Sequence, residues 1–172
     1  MIISLKMNNM YLAHTVMKEI GFVLLSEGKT IKVKAEGVSM YPVIKPGSII
    51  YIEPLSSGSF PMPGEIVAWK REMTFVVHRL VRIVIKNNQS YFITRGDSCN
   101  YEDQPVTADQ LAGRVVRVES LRGNVKGRDQ LGRKSKYLFN RLLVWFYFKT
   151  ILLKRLFKFQ NERENKSVQG IP

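Results

Sequence analysis

From Ile31 to Glu119 the chain is a succession of short runs in which apolar and polar residues alternate. Ile31–Ala35, Ser48–Glu53, Glu65–Lys70, Thr74–Ile85, Tyr91–Thr94 and Gly113–Glu119 are all rich in β-branched or aromatic side chains, the pattern of strands that bury one face. Turn formers separate them: Gly37, Pro46-Gly47, the Ser-, Gly- and Pro-dense stretch Pro54–Gly64, and Lys86-Asn87-Asn88. No helical spacing intervenes between these runs. The segment therefore predicts a mainly β core, a curled antiparallel sheet of barrel-like form.

The flanks follow a different period. Between Asn9 and Glu27, apolar residues at Leu12, Val16, Ile20, Val23 and Leu24 have the spacing of one helix face, and Gly28 supplies a stop. Lys18 and Glu19 interrupt this helix, and Ile20–Leu25 is too short for a signal peptide or a span. Leu121–Lys136 is polar, basic and Gly-containing, and reads as a linker. Tyr137–Phe159 is apolar and aromatic but is punctuated by Arg141, Lys149, Lys154, Arg155 and Lys158. The expected organisation is an N-terminal helix over 1–28, a core over 29–120, a linker over 121–136, a membrane-associating helix over 137–159 and a flexible tail over 160–172.

Charge sharpens that division. Leu121–Pro172 holds thirteen Lys and Arg against three Asp and Glu, so it carries +10 of the chain's net +13. Such a segment suits an anionic surface. Its longest uninterrupted apolar run, Leu142–Phe148, is seven residues, against the roughly 20 needed to cross a bilayer. An interfacial helix is the first reading, a short tilted anchor with snorkelling Lys and Arg the second, and a partner-binding helix the third. The density of apolar residues fits lipid better than a nucleic-acid groove, so nucleic acid is not an expected partner. The expected location is membrane-associated, otherwise cytoplasmic. One cysteine, Cys99, excludes an internal disulfide, and one Cys with two His gives no zinc-ligand spacing. Neither a metal nor a cofactor is expected.

Candidate chemistry starts at Ser39, set on a turn between strand-like sequences. A serine hydroxyl needs a base to become a nucleophile. Phe75-Val76-Val77-His78-Arg79-Leu80 places an imidazole in an apolar strand, where it requires a hydrogen-bond partner. Asp97 and Asp103 lie in the turn-rich loop after the Tyr91–Thr94 strand. A carboxylate from that loop could hold the imidazole tautomer, as in a Ser-His-Asp arrangement. Cys99 reads as a small filler.

Together these motifs, in this order, resemble the signal peptidase I family. Gly37-x-Ser39-Met40-x-Pro42 resembles its nucleophile box, Gly64-Glu65-Ile66-Val67 a following strand, and His78-Arg79 the place where bacterial members carry a base lysine and an arginine. Gly96-Asp97 through Asp103, Pro105-Val106 and Gly113-Arg114-Val115-Val116 resemble its closing box. His78 at the lysine position is similar to the endoplasmic-reticulum or archaeal branch. The resemblance implies Ser39 as nucleophile, His78 as base, Asp103 as the acid that orients it, and Asp97, Gly37, Met40, Arg79 and Gly96 as supporting residues. A histidine, with an ordinary pKa of about 6.5, needs less desolvation than a lysine to act near pH 7; a lysine such as Lys70 remains the alternative base. Gly37 departs from relatives that carry a serine there, which leaves the backbone N–H of Ser39 as the identified oxyanion donor. The implied activity is serine endopeptidase cleavage of leader peptides from pre-proteins with small residues before the cut. Two alternatives stand beside it, a LexA-like self-cleaving regulator of the same fold and a non-catalytic module that binds lipid or nucleic acid through its basic tail.

Overall fold

The computed structural model describes residues 19–56, 58–72 and 74–132, and further on 141–142, 145–146 and 149–150. The chain forms two compact units, Met1–Tyr137 and Leu138–Pro172. In the first, helix α1 (residues 19–26) precedes strands β1 (Ile31–Lys34), β2 (Ile49–Glu53), β3 (Ile66–Arg71), β4 (Thr74–Lys86), β5 (Gln89–Arg95), β6 (Val106–Thr107), β7 (Leu111–Glu119) and β8 (Val125–Gly127). A short helix α2 (Arg128–Leu131) follows. The strands form one antiparallel sheet in the order β1-β2-β7-β3-β4-β5-β6, with β8 also paired to β7. The curled, open β sheet matches the fold class that the alternation predicts.

Alternation explains the layers. In β3, Ile66 and Ala68 join one core cluster with Ile50, Ile52, Val115 and Val118, while Val67 and Trp69 join a second with Leu80, Phe92 and Val106. The first four residues of β3 are thus buried, two on each face of the sheet. Register shifts at Tyr51/Ile52, Ala68/Trp69 and Leu80/Arg82 bend the sheet without breaking the pairing. Asn87 and Asn88, both at positive φ, close the β4–β5 hairpin.

The structure differs from the sequence reading in two places. On α1 the buried residues are Gly21 and Leu25, whereas Ile20 and Val23 are exposed. Residues 20–25 are apolar on every side, so periodicity cannot choose the face, and the stacking of Phe22 on Phe75, with ring centroids 3.8 Å apart, chooses it. Gly28 does end this helix, at φ +81°, as expected. The segment read as a linker is structured in its first part: β8 pairs with β7, and Leu131 of α2 is buried in the first core cluster. Residues 133–136 of that segment, 1–18 of the N-terminal helix and the 160–172 tail lie outside the described residues.

In the second unit the described residues are helical. Leu142, Trp145 and Phe146 are exposed, and their spacing with Lys149 puts the four on one helix face. The Lys149 ammonium lies 5.2 Å from the Trp145 ring centroid. Among the described residues no helix is long and apolar enough to cross a membrane.

Candidate active site

Ser39 lies on the irregular turn that joins β1 to β2. Its neighbours Met40, 4% exposed, and Ile44, 2% exposed, plug the turn into the first core cluster. Each anchor contributes about 1.5–3 kcal/mol of burial. Backbone pairing closes the base of the turn, from Ala35 N–H to Ser48 O at 2.8 Å and from Gly47 N–H to Ala35 O at 2.7 Å. A second loop fixes its tip. Ser98 N–H donates to Ser39 O at 2.9 Å, and Ser98 Oγ to Val38 O at 2.8 Å.

That second loop explains Gly96. A Cβ there would lie 2.7 Å from Ser39 O, 2.7 Å from Cys99 Sγ and 3.0 Å from Ser39 Cβ. Gly96→Ala must therefore push the backbone of Ser39. It is expected to lower the rate of Ser39 acylation by at least tenfold while leaving most of the sheet folded, since a displacement near 1 Å at a reacting group costs about a hundredfold. Acylation by a serine-reactive probe, with circular dichroism as the control for folding, checks this. Wild-type labelling in Gly96→Ala would show that the contact is not what places Ser39.

His78 comes from β4 and Asp103 from the loop after β5. His78 Nε2 lies 3.0 Å from Ser39 Oγ, and His78 Nδ1 lies 2.6 Å from Asp103 Oδ2. A carboxylate only accepts, so Nδ1 carries the proton and Nε2 presents its lone pair to the serine hydroxyl. Asp103 is itself held in place. Its Oδ2 also accepts from Thr94 Oγ1 at 2.6 Å, and its N–H donates to Thr94 O at 2.8 Å. Thr94 is fully buried, and no local sequence signal marks its role; only the register that puts β5 beside β4 does.

Burial alone would push the Asp103 carboxyl up. The hydrogen bonds from His78 and Thr94, with the charges of His78 and Arg71, outweigh it and hold the group below its ordinary value of 3.8. A carboxyl lowered on folding contributes stability that is complete above the unfolded value and is lost as pH falls through the folded one. Asp103→Asn is expected to remove that part of the acid destabilisation. Urea unfolding from pH 2 to 5 checks it: the stability gap between wild type and variant should be open near pH 5 and close as pH falls below about 4. A gap unchanged down to pH 2 would mean that the pair contributes nothing through ionisation.

The other predicted residues surround this line of three. Asp97, 0% exposed, takes Arg79 Nε and Nη2 on its two oxygens at 2.7 Å each. Arg79 Nη1 donates to Gly64 O and to Leu131 O, both at 2.7 Å. Asp97 thus reaches the site through the Gly96–Cys99 loop, and Arg79 braces that loop from behind. Lys70, the alternative base, is engaged with α1: its ammonium is 3.5 Å from Glu19 Oε1 and 5.0 Å from the Phe22 ring centroid. Burial and the charge of Asp103 push the Cys99 thiol up, which keeps it protonated and a poor nucleophile. No Cβ contact would crowd position Gly37, so its place on the rim is open.

Ser39 and His78 line a groove of about 810 Å³. Consecutive residues Ile31 to Gly37 form one wall and Phe75 to His78 another, so strand edges as well as side chains border it. Both edges are unpaired among the described strands: β1 ends the sheet, and β5 pairs with β4 only from Arg79 onward.

The protein family described as Peptidase S24-like matches residues 8–116, more than half of the chain. The match takes in the serine turn, His78 and Asp103, and it begins ahead of the 29–120 stretch that carries the motif resemblance. No curated protein matches the chain.

Proposed function

The chain belongs to the Peptidase S24-like family, and from that premise we propose that it is a serine endopeptidase that cuts leader peptides from pre-proteins at a membrane surface. The observation that carries the reading is the Ser39–His78–Asp103 line, at 3.0 and 2.6 Å, set in a groove bordered by two unpaired strand edges. An extended peptide can pair with such edges, which presents a backbone carbonyl to Ser39. Ser39 Oγ attacks the carbonyl carbon while its proton passes to His78 Nε2. Asp103 stabilises the imidazolium through Nδ1. As the tetrahedral intermediate collapses, His78 delivers that proton to the leaving amine. Water then repeats the sequence on the acyl-serine.

The histidine-containing branch is supported by the pairing of His78 with Asp103 and by the engagement of Lys70 elsewhere. The membrane surface is supported by the exposed face of Leu142, Trp145 and Phe146 beside Lys149 and by the +10 charge after Ser120. The test is labelling of the full chain with an alkyl fluorophosphonate, together with cleavage of a synthetic leader peptide. Both should occur in wild type and vanish in Ser39→Ala. Labelling that persists in Ser39→Ala would sink the assignment.

The family match also favours self-cleavage of the LexA-like kind. Chain concentration separates the two readings. Self-cleavage gives fragments of the protein itself at a rate independent of dilution, whereas a peptidase for other chains leaves itself intact and turns over added peptide.

A further inference from the structure

A lysine stands at the head of the hydrogen bonds that run through the Ser39 turn. Lys126 of β8 lies opposite Val118 in the β7–β8 pairing, and Val118 shares the first core cluster with Met40 and Ile44 of that turn. The Lys126 ammonium donates to Val43 O at 3.1 Å. At the other end of the same peptide group, Ile44 N–H donates to Met40 O at 2.8 Å. At the other end of the next group, Tyr41 N–H donates to Val38 O at 3.0 Å. The group that carries Val38 O ends in Ser39 N–H, the oxyanion donor, and among the described residues nothing accepts from it. We propose that Lys126 is a positioning residue for the peptidase reaction, whose positive charge strengthens Ser39 N–H as a donor to the oxyanion through three hydrogen-bonded peptide groups. This rests on the peptidase reading and adds to it a residue from the segment after Ser120.

Three features carry it. First, each peptide group in the chain accepts at its oxygen and donates at its nitrogen, so the polarisation of all three has one direction. A group that accepts a hydrogen bond becomes a stronger donor at its N–H, a gain of about 10–30% per bond along such a chain. Second, the chain starts from a full charge rather than a neutral donor, and hydrogen bonds from a charged group are roughly twice as strong. Lys126 is half-buried, where salt screens that charge less than at the surface. Third, Val38 O also accepts from Ser98 Oγ at 2.8 Å. Two donors therefore converge on the carbonyl directly behind Ser39 N–H. Negative charge on the substrate oxygen develops only in the transition state, so a stronger N–H raises the rate of attack without tightening binding.

The rate at which an alkyl fluorophosphonate labels the full chain tests this, measured over a range of probe concentrations to separate the limiting rate from the binding constant. Ser39 Oγ bonds to phosphorus, its proton passes to His78 Nε2, the P–F bond breaks and fluoride leaves, while the phosphoryl oxygen gains negative charge beside Ser39 N–H. Lys126→Met keeps the stem and removes the donor, Lys126→Gln keeps a donor without the charge, and Lys126→Arg keeps a charged donor. Losing an oxyanion donor outright costs about 10²- to 10³-fold. Its weakening is therefore expected to lower the limiting rate by about tenfold in Lys126→Met and about fivefold in Lys126→Gln, with the binding constant within about twofold of wild type. Lys126→Arg should label within about twofold of wild type, and circular dichroism reports whether each variant is folded. Labelling of Lys126→Met or Lys126→Gln within about twofold of wild type overturns the inference. A loss in Lys126→Arg as large as in Lys126→Met, or a loss confined to the binding constant, overturns it as well, because Lys126 would then act by packing. All of these leave the peptidase reading standing. Failure of wild type to label, or labelling that persists in Ser39→Ala, overturns both. If Lys126→Met does not fold, Lys126→Gln and Lys126→Arg decide, because both still offer Val43 O a donor.

Discussion

Loss of any one of Ser39, His78 or Asp103 is expected to reduce kcat on a cleaved peptide by about 10⁴-fold or more, with far less change in KM. These groups act on charge that develops only in the transition state, so their loss leaves ground-state binding in place. Ser39→Ala and His78→Ala should be the most severe, on the order of 10⁶-fold, and Asp103→Ala somewhat milder, because an imidazole held in place by Ser39 alone keeps part of its function. The triple variant should be scarcely worse than Ser39→Ala. One proton path runs from Ser39 Oγ to His78 Nε2 across 3.0 Å, with Asp103 2.6 Å behind, and a path broken once is broken. Thr94→Val should fall between wild type and these variants, since Asp103 then keeps one of its two side-chain donors. Single-turnover kinetics on a fluorogenic peptide, with circular dichroism as the folding control, gives all of these values. A Ser39→Ala protein within tenfold of wild type would remove Ser39 as the nucleophile.

The parts of the fold and the candidate site that a sequence can reveal are those whose signal is local. Strands β1 to β5 and β7 lie within a few residues of where alternation puts them, because each buries one or both faces. Ser39, His78 and Asp103 stand out through the order of three motifs, and the structure brings them into one hydrogen-bonded line. What stayed hidden depends on contacts across long sequence separation. Thr94 reads as an ordinary strand threonine until Asp103 folds back onto it. Among the described strands Val125–Gly127, three residues long, pairs with β7 alone, and its Val125 is exposed, so composition sees a linker where register makes a strand. A single buried side chain, Leu131, ties α2 to the core, and one residue has no period. The face of α1 was illegible for the opposite reason, an excess of apolar residues on every side.

Those long-range contacts meet at Arg79, and the second large effect is expected there. Arg79→Met should lower stability by about 3–5 kcal/mol, because it strands the Asp97 carboxylate where no water reaches and orphans two carbonyls, Gly64 O and Leu131 O. The midpoint of thermal unfolding should fall by about 10 °C. Asp97→Leu should cost a similar amount, leaving a buried guanidinium without its carboxylate. The double variant should be less damaged than the sum of the two, since an apolar pair leaves no stranded charge, though the two carbonyls keep it below wild type. Thermal and urea unfolding of the four proteins measures this coupling. An Arg79→Met protein within about 1 kcal/mol of wild type would mean that the pair is not what holds the Gly96–Cys99 loop. The same contacts tie residues beyond Ser120 to the sheet. A chain stopped after Ser120 loses β8, the buried Leu131, worth about 1.5–3 kcal/mol, and one acceptor of Arg79 together. It is expected to be unfolded or nearly so, whereas a chain stopped after Gly132 keeps all three and should label at Ser39.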